Sequence, residues 1–229
     1  GGARAARAPA PAAAAGRGGA FDGDADRCLA VDEDGTMVNG DQIMGILARA
    51  KHRAGKLNHD TLVVTVMSNL GLKLALKDMG IDTVQTNVGD RYVLEEMLRG
   101  DYSIGGEQSG HVINREFATT GDGTLTALTL CNEVVSSGKS LKSLAADFPQ
   151  LPQQLVNVPH VDKQAVSTNA IVQAAVARES KLLGDSGRVL RRASGTEPLV
   201  RVMAEAETQR QANEVCARLA AVVAEELAL

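Results

Sequence analysis

Asp22, Asp24 and Asp26 alternate with small residues in the run Phe21-Asp22-Gly23-Asp24-Ala25-Asp26-Arg27, and an arginine closes it. Hard divalent cations take oxygen ligands, and Mg²⁺ is commonly held by a few carboxylates together with substrate phosphate. Gly23 permits the bend that lets the alternate side chains point at one centre. A solvated acidic turn is the other reading of the same spacing. A second polar loop, Gly105-Gly106-Glu107-Gln108-Ser109-Gly110-His111, offers a carboxylate and a hydroxyl able to bind two neighbouring hydroxyls or an amine. His111 adds a side chain that titrates near neutral pH, suited to a proton shuttle. A Gly-rich turn with a structural histidine is the alternative. The third loop is Arg192-Ala193-Ser194-Gly195-Thr196-Glu197-Pro198, with Arg201 three residues on. Arginine presents a planar fork of donors to phosphate, the hydroxyls of Ser194 and Thr196 add to it, and Gly195 lets backbone N–H groups face an anion. Against this stands a polar hairpin with a chance arginine. Asp90-Arg91, taken alone, reads as a helix cap and a surface arginine.

The elements that must position these loops follow from periodicity. Cys28–Val31 and Thr36–Val38 around Asp34-Gly35 predict a hairpin after the acidic loop. A helix from about Gln42 to His52 is expected, with Asp41 as its cap. Thr61–Met67 is a continuous β-branched run, the pattern of a strand buried on both faces. Helix to Met79, strand Thr83–Thr86, helix after Asp90, strand Tyr102–Gly105 and two further helices, to Ser136 and at Leu141–Asp147, complete an alternating α/β pattern. Phe148-Pro149-Gln150-Leu151-Pro152 breaks it. Beyond lie strands at Gln154–Val158, Arg188–Arg191 and Val200–Glu205, and helices at Thr168–Leu182 and Gln209–Leu227, the last capped by Thr208. The expected fold class is therefore α/β: a three-layer α/β/α domain followed by a smaller α+β C-terminal domain.

Composition narrows the function. Hydrophobic residues make up 44% of 229 positions while aromatics make up 2%, so the cores must be aliphatic. The net charge is −4 and no basic run stands out, which argues against nucleic-acid or membrane-surface partners. Cys28, Cys131 and Cys216 form neither a disulfide framework nor a C-x-x-C pair, which fits a reducing compartment, the cytoplasm. Residues 1–18 are almost entirely Ala, Gly, Arg and Pro and are expected to be disordered. Nothing in the sequence indicates an oligomeric state.

In this order, Asp22-Gly-Asp-Ala-Asp-Arg27, Gly106-Glu-Gln-Ser-Gly-His111 and Arg192-Ala-Ser-Gly-Thr-Glu-Pro198 resemble the motifs of the α-D-phosphohexomutases. Val38–Met44, Val88–Val93 and Thr119–Gly123 support the likeness, which runs from about Gly19 to the C-terminus and leaves residues 1–18 unmatched. Such enzymes move a phosphoryl group between the 6- and 1-positions of a hexose through a phosphoserine and a bisphosphorylated sugar. The resemblance implies that Asp22, Asp24 and Asp26 hold Mg²⁺ against the phosphoserine, with Arg27 beside it. It implies that Glu107 and Ser109 grip sugar hydroxyls, with His111 nearby as acid or base. Arg192, Ser194, Gly195 and Thr196 would hold the phosphate that is not reacting, and Glu197 and Arg201 would brace that loop.

The resemblance also divides the chain: 19–53 as a remnant of the metal-binding domain, 54–149 as the sugar-binding α/β domain and 150–229 as the phosphate-binding domain. A hexosamine phosphate, glucosamine 6-phosphate with its 1-phosphate isomer, is the expected substrate in a route to cell-wall precursors. Mannose and glucose phosphates, or sugar-phosphate binding without turnover, are the alternatives. The family's Ser-His-Asn-Pro-type loop does not occur in these 229 residues, so the chain alone is expected to be inactive, a partial product or one whose front was lost by frameshift. Residues before about Gln42 are expected to be poorly ordered and to bind Mg²⁺ weakly, since a cation that keeps its waters needs a preformed cage.

Overall fold

The computed structural model describes residues 18–194 and 197–229. Most of the stretch expected to be disordered lies outside the described residues, but Gly18 already belongs to a strand. The chain divides into two compact units, Gly1–Pro149 and Gln150–Leu229.

The first unit opens with a small antiparallel sheet of β1 (Gly18–Phe21), β2 (Cys28–Val31) and β3 (Met37–Val38), in the order β1-β2-β3. The expected hairpin is β2–β3. Its turn is held by the Asp32 carboxylate, which accepts from the N–H groups of Asp34 and Thr36 at 3.0 and 2.8 Å, while Gly35 takes a φ of 78°. This corrects the expectation of poor order before Gln42: Cys28, Ala30 and Val38 are buried, and Ala30 and Val38 join the main core.

Helix α1 (Gly40–Arg53) begins two residues earlier than expected. Asn39, not Asp41, is the cap: its side chain accepts from Gln42 N–H, and Gln42 answers onto the Asn39 N–H, a reciprocal capping box. Asp41 is fully buried, and its carboxylate accepts from Asn69 N–H at 2.8 Å. The segments that follow are β4 (Thr61–Thr65), α2 (Leu70–Asp78), β5 (Asp82–Thr86), α3 (Asp90–Arg99), β6 (Ile104–Gly106), β7 (Val112–Asn114), α4 (Gly123–Ser137) and α5 (Leu141–Ala146). The sheet order is β5-β4-β6-β7, with β4 parallel to both neighbours and β7 antiparallel to β6.

Period-two alternation on β4 builds three layers. Leu62 and Val64 face a core that also takes Ile43, Met44 and Leu47 of α1, Leu72 and Leu76 of α2, Leu130 of α4 and Leu144 of α5. Val63 faces the other way, with Val93 and Met97 of α3 and Ile113 of β7. Helix α1 is part of the α/β core, so residues on both sides of Arg53 pack together there. Phe148, fully buried, closes that core against Gly45 of α1, where a Cβ would come within 2.6 Å of the ring.

The second unit contains β8 (Gln153–Pro159), α6 (Ala170–Leu183), β9 (Arg188–Ala193), β10 (Leu199–Glu205) and α7 (Gln209–Glu226). The strands form an antiparallel sheet in the order β8-β10-β9. Ala212, Val215, Cys216, Leu219 and Val223 recur along one face of α7 and pack with Val172 and Ala175 of α6 on Val200, Val202 and Ala204 of β10. Thr208 caps α7 as expected, accepting from Gln211 N–H. Arg218 grips the buried Glu179 with two bonds, at 3.1 and 2.7 Å, and so ties α7 to α6.

Candidate functional site

In an open α/β sheet, ligands sit outside the carboxyl ends of the strands where the strand order reverses. Here β4 leads to β5 on one side and pairs with β6 on the other. The Glu107–His111 loop leaves the carboxyl end of β6 at that point. It is pinned by backbone bonds: Gly40 N–H to Gln108 O at 3.1 Å, Cys28 N–H to Gly110 O at 3.0 Å, and Glu107 N–H to His111 O at 2.9 Å. Gly110 takes a φ of 97°, and a Cβ there would run into the Cys28 carbonyl.

The same contacts bring the acidic loop in. Arg27 and His111 form an antiparallel bridge, so the residue closing the acidic loop lies beside the end of the Gly-rich loop. Ligand atoms of Asp22, Asp24 and Asp26 all lie within 4.8 Å of one another. The Arg27 N–H donates to Asp22 Oδ1 at 3.2 Å, and its Nε stands 3.6 Å from carboxylate oxygens of both Asp22 and Asp26. Ala25, at a φ of 57°, carries the bend, and its carbonyl accepts from Gly123 N–H at 2.9 Å at the start of α4.

Electrostatics differ within the trio. Desolvation, then the Asp22 side chain and the charges of Asp22 and Asp24, push Asp26 above the ordinary carboxylate range, with His111 opposing them. Desolvation also acts upward on Asp22, but the Arg27 N–H, the Asp26 side chain and the Arg27 charge together bring it below that range. Asp26 Oδ1 is buried without a hydrogen-bond partner. Three crowded carboxylates, one with an orphaned oxygen, fit a hard divalent cation.

His111 is buried. Its Nε2 stands 3.6 Å from Asp26 Oδ2, and its Nδ1 has no hydrogen-bond partner. Gly121 lies against the ring, where a Cβ would overlap Nε2. Glu107 is half-buried, and its Oε1 accepts from Gly89 N–H at 2.9 Å; Gly89, at a φ of 133°, precedes α3. Ser109 is exposed. Asp90 is the first residue of α3, where its carboxylate accepts from Arg91 N–H, and Arg91 pairs with Glu95 at 2.7 Å. Burial pushes the Cys28 thiol, next to Arg27, up to about 11, so it supplies no thiolate nucleophile.

In the second unit, Arg192 of β9 and Arg201 of β10 are paired in register, so two cationic side chains share one face. Like charges placed opposite one another are unfavourable unless an anion intervenes. Glu197 stands 3.7 Å from Arg201. Ser194 is buried, and its Oγ accepts from Glu197 N–H at 3.3 Å. Gly195 and Thr196 lie outside the described residues. Lys163, which the sequence reading did not single out, donates to the carbonyls of Ser194 and Glu197 at 2.8 and 3.2 Å. Gly89 and Gly121 stood in the supporting motifs but without a role. Lys163 had no local signal, being 31 residues from Ser194.

The first unit thus carries a carboxylate trio beside the Glu107–His111 loop, and the second carries paired arginines. Residues 39–151 match the family described as phosphoglucomutase/phosphomannomutase, alpha/beta/alpha domain III, and residues 155–222 match its C-terminal domain. The chain belongs to that family, the α-D-phosphohexomutases.

Phosphoglucosamine mutase of Bifidobacterium adolescentis is 87% identical over 212 residues, which cover 93% of this chain and 46% of that protein. The chain thus spans about half the length of the curated relatives it matches. Two solved structures of N-acetylphosphoglucosamine mutase from Aspergillus fumigatus, each 24% identical, share the fold. One has a TM-score of 0.79 over 97% of this chain and 51% of its own. The other, in complex with GlcNAc-6P and magnesium, has a TM-score of 0.78 over 96% and 51%. Among the described residues no helix is long and apolar enough to cross a membrane.

Proposed function

We propose that this chain supplies the sugar-binding and phosphate-binding parts of a cytoplasmic phosphoglucosamine mutase, which interconverts glucosamine 6-phosphate and glucosamine 1-phosphate through a bisphosphorylated sugar. The observation that carries this reading is the convergence of the acidic loop and the Glu107–His111 loop, joined by the Arg27–His111 bridge. The identity to the Bifidobacterium adolescentis phosphoglucosamine mutase supports the choice of sugar.

In this reading Asp22, Asp24 and Asp26 hold Mg²⁺, which when bound offsets charge on the phosphoryl group in transfer. The structured loop and its orphaned Asp26 oxygen favour a real site over the weak binding expected of a frayed tail. Arg27 pairs with phosphoryl oxygens from beside the trio. Glu107 and Ser109 bind sugar hydroxyls, with Gly89 N–H fixing the Glu107 carboxylate. His111 exchanges a proton with the reacting hydroxyl. Arg192, Ser194, Gly195, Thr196 and Arg201 hold the distal phosphate, whose binding energy positions the sugar for transfer. The phosphoserine that donates the phosphoryl is not among these residues, so by itself this chain binds and orients.

Calorimetry of the chain with glucosamine 6-phosphate and Mg²⁺ tests the proposal. Millimolar or tighter binding, abolished in Arg192→Ala, is the expected result. No heat with the unaltered chain, or equal binding in Arg192→Ala, would contradict it. Equal affinity for mannose 6-phosphate and glucose 6-phosphate would remove the narrow choice of sugar.

A further inference from the structure

The end of the four-stranded sheet opposite the Glu107–His111 loop carries a cavity of about 450 Å³, where α1 ends, β6 begins and β7 ends. Lys51, Lys56, Asn58, Ser103, Arg115 and Glu116 line it. The Lys51 side chain is only 10% exposed, and its ammonium donates to Glu116 Oε2 at 2.8 Å. The exposed ammonium of Lys56 stands 3.6 Å from the other Glu116 oxygen, a looser contact. One carboxylate thus serves two ammoniums. Arg115 is fixed through a single nitrogen. Its Nη1 donates to the carbonyls of Met97 and Tyr102 at 3.0 and 2.8 Å and to Asp101 at 3.2 Å. Its Nε and Nη2 have no hydrogen-bond partner among the described residues. That edge of a guanidinium matches two oxygens of a carboxylate or a phosphate. Even with Asp101 set against Arg115 and Glu116 against Lys51, the charge of Lys56 is in excess.

The backbone around the cavity is held in costly conformations. His59, Asp60 and Asp101 take φ angles of 58°, 47° and 52°, in the left-handed region. Polar contacts lock them in place. Asn58 Nδ2 donates to Asp101 O at 2.9 Å, Asn58 N–H donates to Ser103 Oγ at 3.2 Å, and His52 Nδ1 stands 2.8 Å from Asp60 Oδ1. Strain of this kind persists only where the surroundings over-determine it, and it gathers at ligand clamps. We propose that this cavity binds a small oxyanion of two or more negative charges, a phosphate or a polycarboxylate. Arg115 grips two oxygens through Nε and Nη2, and Lys51 and Lys56 supply the balancing charge. The site does not rest on the function proposed for the other loops.

The test is titration of the full chain with inorganic phosphate and, separately, with citrate, at an ionic strength held constant with sodium chloride. Backbone amide NMR signals of Gly55, Lys56, Ser103 and Glu116 are the readout. Expected are saturable shifts of these signals with one or both anions, at millimolar concentrations or below, and none with chloride; which anion saturates them assigns the phosphate or the carboxylate class. Lys56→Glu should weaken binding about tenfold. Lys181→Glu, the same change of charge at an exposed position in the second unit, should leave it unaltered. Arg115→Lys keeps the charge without the fork and should also weaken binding about tenfold. Should Arg115→Lys fail to fold, Lys56→Glu decides, because Lys56 is exposed. No saturable shift with either anion, equal shifts with chloride, or equal affinity in Lys56→Glu and Lys181→Glu overturns the proposal. Unchanged affinity in a folded Arg115→Lys overturns the grip assigned to Arg115.

Discussion

Gly123 stands where α4 meets the acidic loop, and replacing it with alanine probes whether that loop is built into the fold. Its N–H donates to Ala25 O at 2.9 Å. A Cβ at this position would press on the Arg27 carbonyl, 2.7 Å from its carbon and 2.9 Å from the Ala25 oxygen. All of these are backbone atoms, so the helix or the loop must move. Overpacking of this kind costs about 1–3 kcal/mol. Weakening the hydrogen bond adds about 1 kcal/mol. The better helix propensity of alanine returns at most about 1 kcal/mol. The net expectation for Gly123→Ala is a loss of about 2 kcal/mol from the first unit. Tyrosine fluorescence reads that unit alone, since the chain has no Trp and its two tyrosines, Tyr92 and Tyr102, both lie within Gly1–Pro149. In urea, where small proteins change by about 1–3 kcal/mol per molar, the midpoint should fall by about 1 M. An unchanged or higher midpoint would mean that α4 does not seat the acidic loop, and the preformed carboxylate trio would lose its support.

Two further outcomes follow from the same contacts. Glu107→Gln keeps an oxygen able to accept from Gly89 N–H, so thermal stability should stay within about 0.5 kcal/mol while calorimetric affinity for glucosamine 6-phosphate falls about tenfold; equal affinity would remove Glu107 from the sugar site. The hydrogen bonds from Arg218, helped by its charge, hold Glu179 below the ordinary glutamate range against the upward push of burial. The unfolded chain therefore takes up this proton first as the pH falls, so the contribution of the pair is whole at neutral pH and is lost below about pH 4. Urea titrations read from α6 amide NMR signals between pH 6 and 3 should show that loss (pH values here being about those where carboxylates titrate), and Glu179→Gln should flatten it; parallel curves for the two proteins would refute the assignment.

Much of the architecture was legible because local signals agreed with the final packing. The β-branched run at Thr61–Thr65 became the central strand, and Asn69 and Thr208 cap the helices they precede. Other elements lack such signals. β1 is Gly-Gly-Ala-Phe, with no strand preference, and exists through its register with β2. β7 is three residues long and is defined by pairing with β6. Asp41 precedes an apolar run and so reads as a cap; the Asn39–Gln42 capping box is also present in the sequence, and burial against Asn69 gives Asp41 a different task.

The loops of the site were readable from residue type, while their joining was not. Cys28 to Gly110 and Arg27 to His111 are contacts across more than 80 positions, set by the sheet. For the same reason Asp26 showed its carboxylate to the sequence reading but not its partner His111, and Lys163 showed nothing at all.

The most direct measurement is an exchange of parts. The matched 212 residues of this chain replace their counterpart in the Bifidobacterium adolescentis phosphoglucosamine mutase, to which they are 87% identical. Conversion of glucosamine 6-phosphate to glucosamine 1-phosphate is then assayed with Mg²⁺, beside mannose and glucose phosphates. Activity on the glucosamine phosphate within about tenfold of the parent, a difference of about 1.4 kcal/mol in barrier, with loss in Arg192→Ala, is the predicted result. A folded chimera that binds no glucosamine phosphate and turns none over would contradict the proposed function.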